Sequence, residues 1–362
     1  MKTTRFFHAG MAALVLALCA DAGALSCGAF DGRFCKGAAF QYDGGFRPSA
    51  GEFGGFGGAF NCAATHTPVV FVHGNGDNAT SWDAPTFKVN GYARPPHSVY
   101  QQFKAAGYKD CELYGVTYLS EGDRAAPQLV YEQKPEYAIV DKFIKAVLRQ
   151  TGQTKVDIVS HSLGVSTAMA ALTYYRDWGS VRRFVNIAGA LHGLDSCIRI
   201  GFINPFAPTC GAQNLVDGWA FGLYPDAAAP GVNQWTGTRE SYALPNSANS
   251  NPGVAFYTIH AGINDELMCV TTSNPASCGH SPLLRNANGN VKSQLDVGAG
   301  ANAAQLDWNW SDGMPYNVAG GDSNGVGHFH ARTNTGAIIL NMLTTNCSGS
   351  GCANSYFYGP YK

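Results

Sequence analysis

Charged side chains are scarce in this 362-residue chain, at 14% of its residues against about 25% in an average soluble domain. The two signs also balance, with 24 Lys and Arg against 25 Asp and Glu and a net charge of -1. No basic or acidic excess is present to attract nucleic acid or an anionic membrane, so we expect neither as a partner. The 45% of hydrophobic residues is enough for a buried core and excludes a disordered chain.

Long apolar runs are also lacking, and the one candidate lies near the N-terminus. Lys2 and Arg5 precede an uncharged apolar stretch over 11–20, and small residues follow at 22–24, which is the pattern of a secretory signal peptide. A membrane anchor is the alternative, but a bilayer core needs about 20 apolar residues. We therefore predict a signal peptide over 1–24, no membrane span and a secreted, extracellular protein.

The cysteines show no Cys-x-x-Cys spacing, which disfavours a metal site, and we expect no metal. Removal of residues 1–24 would leave ten cysteines, an even number that predicts disulfides in an exported protein. Spacing does not prove connectivity, and we favour pairing between neighbours because it cross-links loops that contain few apolar residues. The favoured pairs are Cys27 with Cys35, Cys62 with Cys111, Cys197 with Cys210, Cys269 with Cys278, and Cys347 with Cys352.

Short apolar strands alternate with helical patterns through the middle of the chain. This order predicts an α/β fold with a mostly parallel central sheet and helices on both faces. A glycine-rich segment over 44–60 is predicted to be a surface loop before the first regular element. From 191 to 252 the pattern breaks into an irregular insertion, whose length is typical of a cap or binding loop. The predicted strands are 67–73, 111–118, 156–159, 181–188, 254–259 and 291–297, and the predicted helices are 98–106, 137–149, 165–175 and 335–343.

The motif Ser160-His161-Ser162-Leu163-Gly164 lies between a predicted strand and a predicted helix. That position is typical of a nucleophile elbow, in which a strained turn exposes a serine hydroxyl and needs small neighbours. Ser162 is therefore the candidate nucleophile. Ser160 only approximates the usual glycine of the pattern, and we expect the neighbouring His161 to have a packing or substrate-lining role.

A serine hydroxyl needs a base to take its proton and an acid to orient that base. Asp265 follows the predicted strand 254–259 and is the candidate acid, whereas Asp195, Asp296 and Asp307 follow no such clear strand. His328 is the preferred base in the glycine-flanked loop 325–330, with His330 as the alternative. No metal or organic cofactor is required for this chemistry.

The oxyanion of a tetrahedral intermediate needs two main-chain N–H groups directed at the developing charge. One is expected from Leu163, the residue after the candidate nucleophile. The other is expected from the turn after the first strand, where we choose Asn75 and keep Gly74 as the alternative.

Several motifs together resemble those of the extracellular poly(3-hydroxybutyrate) depolymerase family that attacks native, amorphous granules and belongs to the lipase-like α/β-hydrolase superfamily. The resemblance covers nearly the whole chain after residue 24, including all ten cysteines. It rests on Ser-His-Ser-Leu-Gly at 160–164, Val-His-Gly-Asn-Gly-Asp-Asn at 72–78, Gly-Val-Thr-Tyr-Leu-Ser at 115–120, Ser-Asp-Gly-Met-Pro-Tyr-Asn at 311–317 and Asn-Gly-Val-Gly-His-Phe at 324–329.

The resemblance implies an α/β-hydrolase with a single catalytic domain over 25–362, in which 191–252 is an irregular cap or substrate-docking insertion. It also implies a triad of Ser162, Asp265 and His328 with oxyanion amides at Asn75 and Leu163. The expected partner is the polyester at a granule surface, attacked by a monomeric enzyme. Two departures are Ser160 and Leu163, where the family carries Ala and Met, and an insertion poorer in tyrosine. The predicted substrate contacts are His73, Trp219, Tyr224 and Trp235.

Two alternatives remain open at this point. A secreted triacylglycerol lipase or general carboxylesterase would share every one of these features. A catalytically dead polymer-binding protein on a hydrolase scaffold is the alternative from another class. The aromatic side chains of the insertion could equally form its own core.

Overall fold

The computed structural model describes part of the chain, and the structural statements below concern that part. The described residues are 25–36, 42–43, 46, 53–58, 62–89, 92–194, 197, 204–211, 213, 217–224, 247–269, 278–286, 288–298, 305–307, 317–319, 321–323 and 325–353. The predicted signal peptide over 1–24 lies outside them, as do Asp195 and Trp235.

An eight-stranded sheet forms the centre of the protein, in the order β1-β2-β4-β3-β5-β6-β7-β8. All neighbouring strands are parallel except β2 and β4, which are antiparallel. A further antiparallel pair joins β9 to β10. The strands are β1 Tyr42–Asp43, β2 Gly55–Gly57, β3 Val69–Val72, β4 Leu113–Val116, β5 Val156–His161, β6 Val181–Ile187, β7 Ala255–His260, β8 Val291–Asp296, β9 Gln305–Asp307 and β10 Asn317–Ala319.

Helices cover both faces of the sheet, as the strand and helix alternation predicts. Within β3, Val70 and Val72 join the core under α3 and α4, whereas Val69 and Phe71 join the core under α1 and α7. This division follows from the alternation of side chains along a strand, and it explains why a strand buried on both faces is apolar throughout. The helices are α1 Val99–Ala105, α2 Glu121–Ala125, α3 Lys134–Thr151, α4 Leu163–Tyr175, α5 Ser247–Ser250, α6 His330–Thr333 and α7 Gly336–Thr344.

Local signals account for the ends of several helices. Ser98 caps α1 by accepting a hydrogen bond from the Gln101 amide at 3.1 Å. Ser120 and Asp123 form a capping box at the start of α2. Gly152 ends α3 in the left-handed conformation at φ 67°, which a residue without Cβ adopts at little cost.

The prediction of a surface loop over 44–60 is wrong at Gly55–Gly57, which form the buried strand β2. Glycine is needed here because aromatic rings lie close against the backbone. A Cβ on Gly57 would overlap the ring of Tyr114, and one on Gly115 would overlap the ring of Phe56. Glycine content therefore marks close packing in this segment, where the sequence pattern indicates a turn.

Five disulfides join the ten cysteines as neighbouring couples. Such a number of disulfides fits an oxidising compartment. The described parts of the insertion contain the short helix α5 and a 3-10 turn at Pro208–Cys210. Across the described residues, no helix has both the length and the apolar character needed to cross a membrane.

Candidate active site

Ser162 occupies a strained turn between β5 and α4. Its backbone has φ 54° and ψ -129°, a combination that costs a non-glycine residue on the order of 1–3 kcal/mol and that tends to occur at functional sites. The Ser162 amide donates to the Ile187 carbonyl at 2.9 Å, which attaches the turn to the neighbouring strand β6. The surrounding parallel strands all end at this edge, where ligands of open α/β sheets bind.

Two glycines allow the backbone to pass close to this turn. A Cβ on Gly164 would overlap the main-chain oxygen of His73, at the end of β3. A Cβ on Gly74 would come within 2.9 Å of the Ser162 Cβ. The turn after β3 therefore lies directly against Ser162, and a larger residue at either position would push the two apart.

The structure brings Asp265 and His328 together, although 63 residues separate them in sequence. Both side chains are 1% exposed. The Nδ1 atom of His328 lies 2.9 Å from Oδ2 of Asp265 and 3.1 Å from Oδ1, so Nδ1 carries the proton and donates a hydrogen bond to the carboxylate. The opposite atom, Nε2, is buried and has no hydrogen-bond partner among the described residues. Its lone pair is available to accept a proton.

Asp265 is itself held by main-chain N–H groups. Its Oδ1 accepts hydrogen bonds from the amides of Leu267 at 3.0 Å and Met268 at 2.9 Å. These contacts fix the carboxylate in the loop after β7, the position at which the sequence pattern expects the acid.

The alternative candidates have other partners. The Nδ1 atom of His330 donates to the Gly325 carbonyl at 2.7 Å, and its ring stacks on Phe87 with centroids 3.9 Å apart. Asp296 accepts from the Gly298 amide at 2.9 Å at the end of β8. His330 and Asp296 therefore have local structural roles in this edge of the sheet.

His161 connects the elbow to the histidine loop. Its Nε2 donates to the main-chain carbonyl of His328 at 3.1 Å, and the two rings lie 4.8 Å apart between centroids. Burial, followed by the neighbouring His328, lowers the pKa of His161 well below its usual range. The ring is therefore neutral at pH 7, and its contacts fit the packing role that we expect for it.

The turn from Gly74 to Asp77 carries the expected oxyanion amide of Asn75. The Asn75 side chain donates from Nδ2 to the Pro127 carbonyl at 2.8 Å. The other expected amide belongs to Leu163, the first residue of α4. At that position a main-chain N–H has no carbonyl of its own helix to bind, which is why the N-terminus of a helix can bind an anion.

His73 is fully buried, and both of its ring nitrogens have partners within the protein. Nδ1 donates to the Gly74 carbonyl at 2.8 Å, and Nε2 accepts from the Tyr118 amide at 3.3 Å. Burial lowers the pKa of His73 to about 3, so the ring is neutral. These contacts favour a role in orienting the turn rather than the predicted substrate contact.

Asp77 and Arg332 form a fully buried ion pair across the site. Asp77 belongs to the turn after β3, and Arg332 belongs to α6, immediately after the His328 loop. A second Arg332 nitrogen donates to the Arg33 carbonyl at 2.8 Å. The sequence pattern does not reveal this pair, since 255 residues separate its members. The only signal in the sequence is the low charge content of the chain: because charged residues are few, each of them is a candidate for a specific role.

Two of the predicted aromatic contacts, Trp219 and Tyr224, lie among the described residues. Trp219 packs edge-on against Tyr174 with centroids 5.0 Å apart. Tyr174 is 11 residues beyond Leu163, or about 16 Å along α4 at 1.5 Å per residue. Trp219 therefore lies well away from Ser162, and Tyr224 is partly buried against the same core. Their contact with substrate stays a prediction.

Two exposed apolar side chains lie closer to the turn that carries Asn75. Leu129 is 48% exposed and Phe206 is 81% exposed. Leu129 ends the 3-10 turn Pro127–Leu129, which begins at the residue bound by Asn75 and packs against the turn Pro208–Cys210. Single exposed apolar side chains are common on protein surfaces, so these two do not by themselves indicate a ligand.

The fold and this edge of the sheet define an α/β-hydrolase of the lipase and esterase type. Residues 66–294, more than half of the chain, match the family model described as Lipase (class 2), and the chain belongs to that family.

Solved structures with a similar fold include Aspergillus fumigatus lipase B, a Bacillus licheniformis lipase in its propeptide form and the carboxylesterase CesB from Bacillus subtilis. Each is 14% identical to this chain, with TM-scores of 0.46, 0.43 and 0.36. The matches cover 80%, 81% and 78% of this chain, and 55%, 54% and 85% of the respective structures. The chain thus spans about half the length of the first two. Similarity at this level supports no conclusion about the activity or substrate of this chain.

Proposed function

We propose that this protein is a secreted serine esterase that hydrolyses ester bonds of poly(3-hydroxybutyrate) or a similar aliphatic polyester through an acyl-enzyme. The observation that carries the ester chemistry is the buried hydrogen bond between His328 and Asp265, with an unpartnered Nε2 at the edge where the half-buried Ser162 lies on its strained turn. The similarity of the sequence motifs to the depolymerase family supports the polyester, and the five disulfides support export.

In the proposed mechanism, His328 takes the proton from the Ser162 hydroxyl as its oxygen attacks the ester carbonyl. The amides of Asn75 and Leu163 bind the oxyanion of the tetrahedral intermediate. The protonated imidazole then gives its proton to the leaving alcohol oxygen, the carbon–oxygen bond breaks, and the acyl group stays on Ser162. Water, deprotonated by His328, attacks this acyl-enzyme, and collapse of the second intermediate releases the acid and regenerates the serine.

The neutral histidines around the site are consistent with this scheme. His73 and His161 have lowered pKa values because they are buried, so neither adds a positive charge that would oppose protonation of His328. Asp265 stabilises the imidazolium that forms during the reaction.

The family match favours a second candidate, a triacylglycerol lipase. Purified protein should be assayed in parallel on amorphous poly(3-hydroxybutyrate) particles and on an emulsified long-chain triacylglycerol, with Ser162→Ala and His328→Ala as controls. Release of soluble hydroxyacid by the wild type and loss of at least a thousandfold in both variants would support the proposal. Faster hydrolysis of triacylglycerol than of polyester would replace the proposed substrate, and undiminished turnover by folded Ser162→Ala would refute the mechanism.

A further inference from the structure

Two acidic side chains that the mechanism does not use lie next to the loop that carries His328. Glu266 directly follows Asp265 in sequence and is 2% exposed. Asp322 belongs to the 3-10 turn Gly321–Ser323, just before the same loop. Both belong to segments that meet only in the folded protein.

These two carboxyl groups accept hydrogen bonds from four consecutive main-chain amides. Asp322 Oδ1 accepts from Gly327 and His330, and its Oδ2 accepts from Phe329, each at 2.8 Å. Glu266 Oε2 accepts from the amide of His328, also at 2.8 Å. The four N–H groups precede or begin α6, where helix geometry supplies no carbonyl acceptors. A single capping side chain commonly satisfies one such group, whereas here every one of the four is bound.

The packing around Glu266 shows that its carboxyl group is built into the loop. A Cβ on either Gly321 or Gly327 would overlap Glu266 Oε2. Glycine at both positions therefore lets the backbone close around the carboxyl group, which leaves the His328 amide little freedom to move away from it.

Glu266 favours its protonated form in the folded protein. Burial, then the charge of Asp322, raises the pKa of Glu266 well above its usual range. This direction is expected because a buried carboxylate beside other carboxylates is repelled by them. The titratable groups that face this pair are Asp265, His328 and His330.

We propose that Glu266 and Asp322 are positioning residues for His328: together they hold the four amides of residues 327–330, so that Nδ1 stays on Asp265 and Nε2 stays without another partner. This inference rests on the proposed function, in which His328 is the base. In this inference Glu266 and Asp322 hold the main chain of the His328 loop by hydrogen bonds, whereas Asp265 binds the imidazole ring.

The test compares three variants on a soluble ester, p-nitrophenyl butyrate. Glu266→Ala removes the acceptor, and we expect kcat to fall at least tenfold with KM within twofold of the wild type, because the histidine is misplaced while the binding surface is unchanged. Glu266→Gln keeps one acceptor for the His328 amide and one donor for Asp322, so we expect it to retain at least half of kcat.

Glu112→Ala is the matched control. Glu112 is also a buried carboxylate that accepts from main-chain amides, those of His66 and Lys109 at 2.8 Å each. It precedes β4, at the opposite end of the sheet from Ser162. We expect this variant to lose stability but to keep kcat within twofold.

The pH profile provides a readout that general destabilisation would not give. In the wild type, loss of the Glu266 proton at alkaline pH places two carboxylates close to each other and loosens the loop, so kcat falls. Glu266→Gln has no such proton to lose, so its alkaline limb should move to higher pH. This comparison decides the question even where Glu266→Ala does not fold.

Superimposable pH profiles for the wild type and Glu266→Gln would overturn the inference. The same holds for a folded Glu266→Ala with kcat within twofold of the wild type, or for a loss in Glu266→Gln as large as in Glu266→Ala. Parallel assays of Ser162→Ala distinguish failure of the positioning role from failure of the proposed function. If that variant is inactive while the Glu266 variants behave like the wild type, only the positioning role fails. An active Ser162→Ala would instead remove the proposed function itself.

Discussion

Arg332→Met isolates the ion pair that joins the turn carrying Asn75 to the helix after His328. Asp77 is 0% exposed and Arg332 is 1% exposed on their side chains. Removal of one partner leaves a buried charge uncompensated, which costs on the order of 3–5 kcal/mol. Loss of the hydrogen bond to the Arg33 carbonyl adds about 1 kcal/mol. At roughly 2 °C per kcal/mol for a large domain, we expect the Tm to fall by about 8–12 °C.

The dependence on pH tests the cause of this loss. Burial raises the pKa of Asp77, while Arg332 lowers it, so without Arg332 the folded protein favours protonated Asp77. A carboxyl whose pKa is raised on folding destabilises the protein as pH rises above the unfolded value of about 3.9. The difference in unfolding free energy between the wild type and Arg332→Met should therefore be larger at pH 8 than at pH 4.

Urea denaturation of the wild type, Arg332→Met, Asp77→Asn and the double variant measures the coupling between the two side chains. The double variant should be more stable than Arg332→Met, because no lone charge remains buried. Equal stability of these two variants, or a difference from the wild type that does not change between pH 4 and pH 8, would contradict the reasoning.

Three further predictions follow from single contacts. Asp265→Asn should keep its fold but lose about 10⁴-fold in kcat on p-nitrophenyl butyrate, since an amide no longer selects the required His328 tautomer; a loss under tenfold would contradict this. Burial raises the pKa of Glu132 to about 8. The free-energy cost of keeping this carboxyl group buried in the folded protein therefore grows as pH rises from about 4.3 through 8. Glu132→Gln should have a higher Tm than the wild type at pH 9 but not at pH 4. Gly164→Ala should lose about 1–3 kcal/mol of stability and most of its activity, because the added methyl overlaps β3. Its control is Gly179→Ala, whose added methyl meets no atom within 4 Å. The stability of this control should stay within about 0.5 kcal/mol of the wild type.

Much of the sheet is predictable because its signals are local. The apolar run at 67–73 predicts β3, which the structure places at Val69–Val72, and the predicted helix at 137–149 lies within α3. The elbow motif is likewise local, since a strand, a strained serine and a small residue must follow one another along the chain. By contrast, β2 is missed because Gly57 is explained only by the ring of Tyr114, which belongs to a different strand, β4.

The order of strands and helices and the elbow at Ser162 can both be derived from neighbouring residues, because hydrophobic periodicity and turn chemistry act over a few positions. Asp265 and His328 come into contact only when loops from separate strands meet at one edge of the sheet. It is this contact, and not the sequence pattern, that distinguishes them from the alternative residues. The partners Glu266 with Asp322 and Asp77 with Arg332 leave no comparable pattern. Their significance comes from burial, which makes an unpaired charge costly, and burial is a property of the assembled tertiary structure.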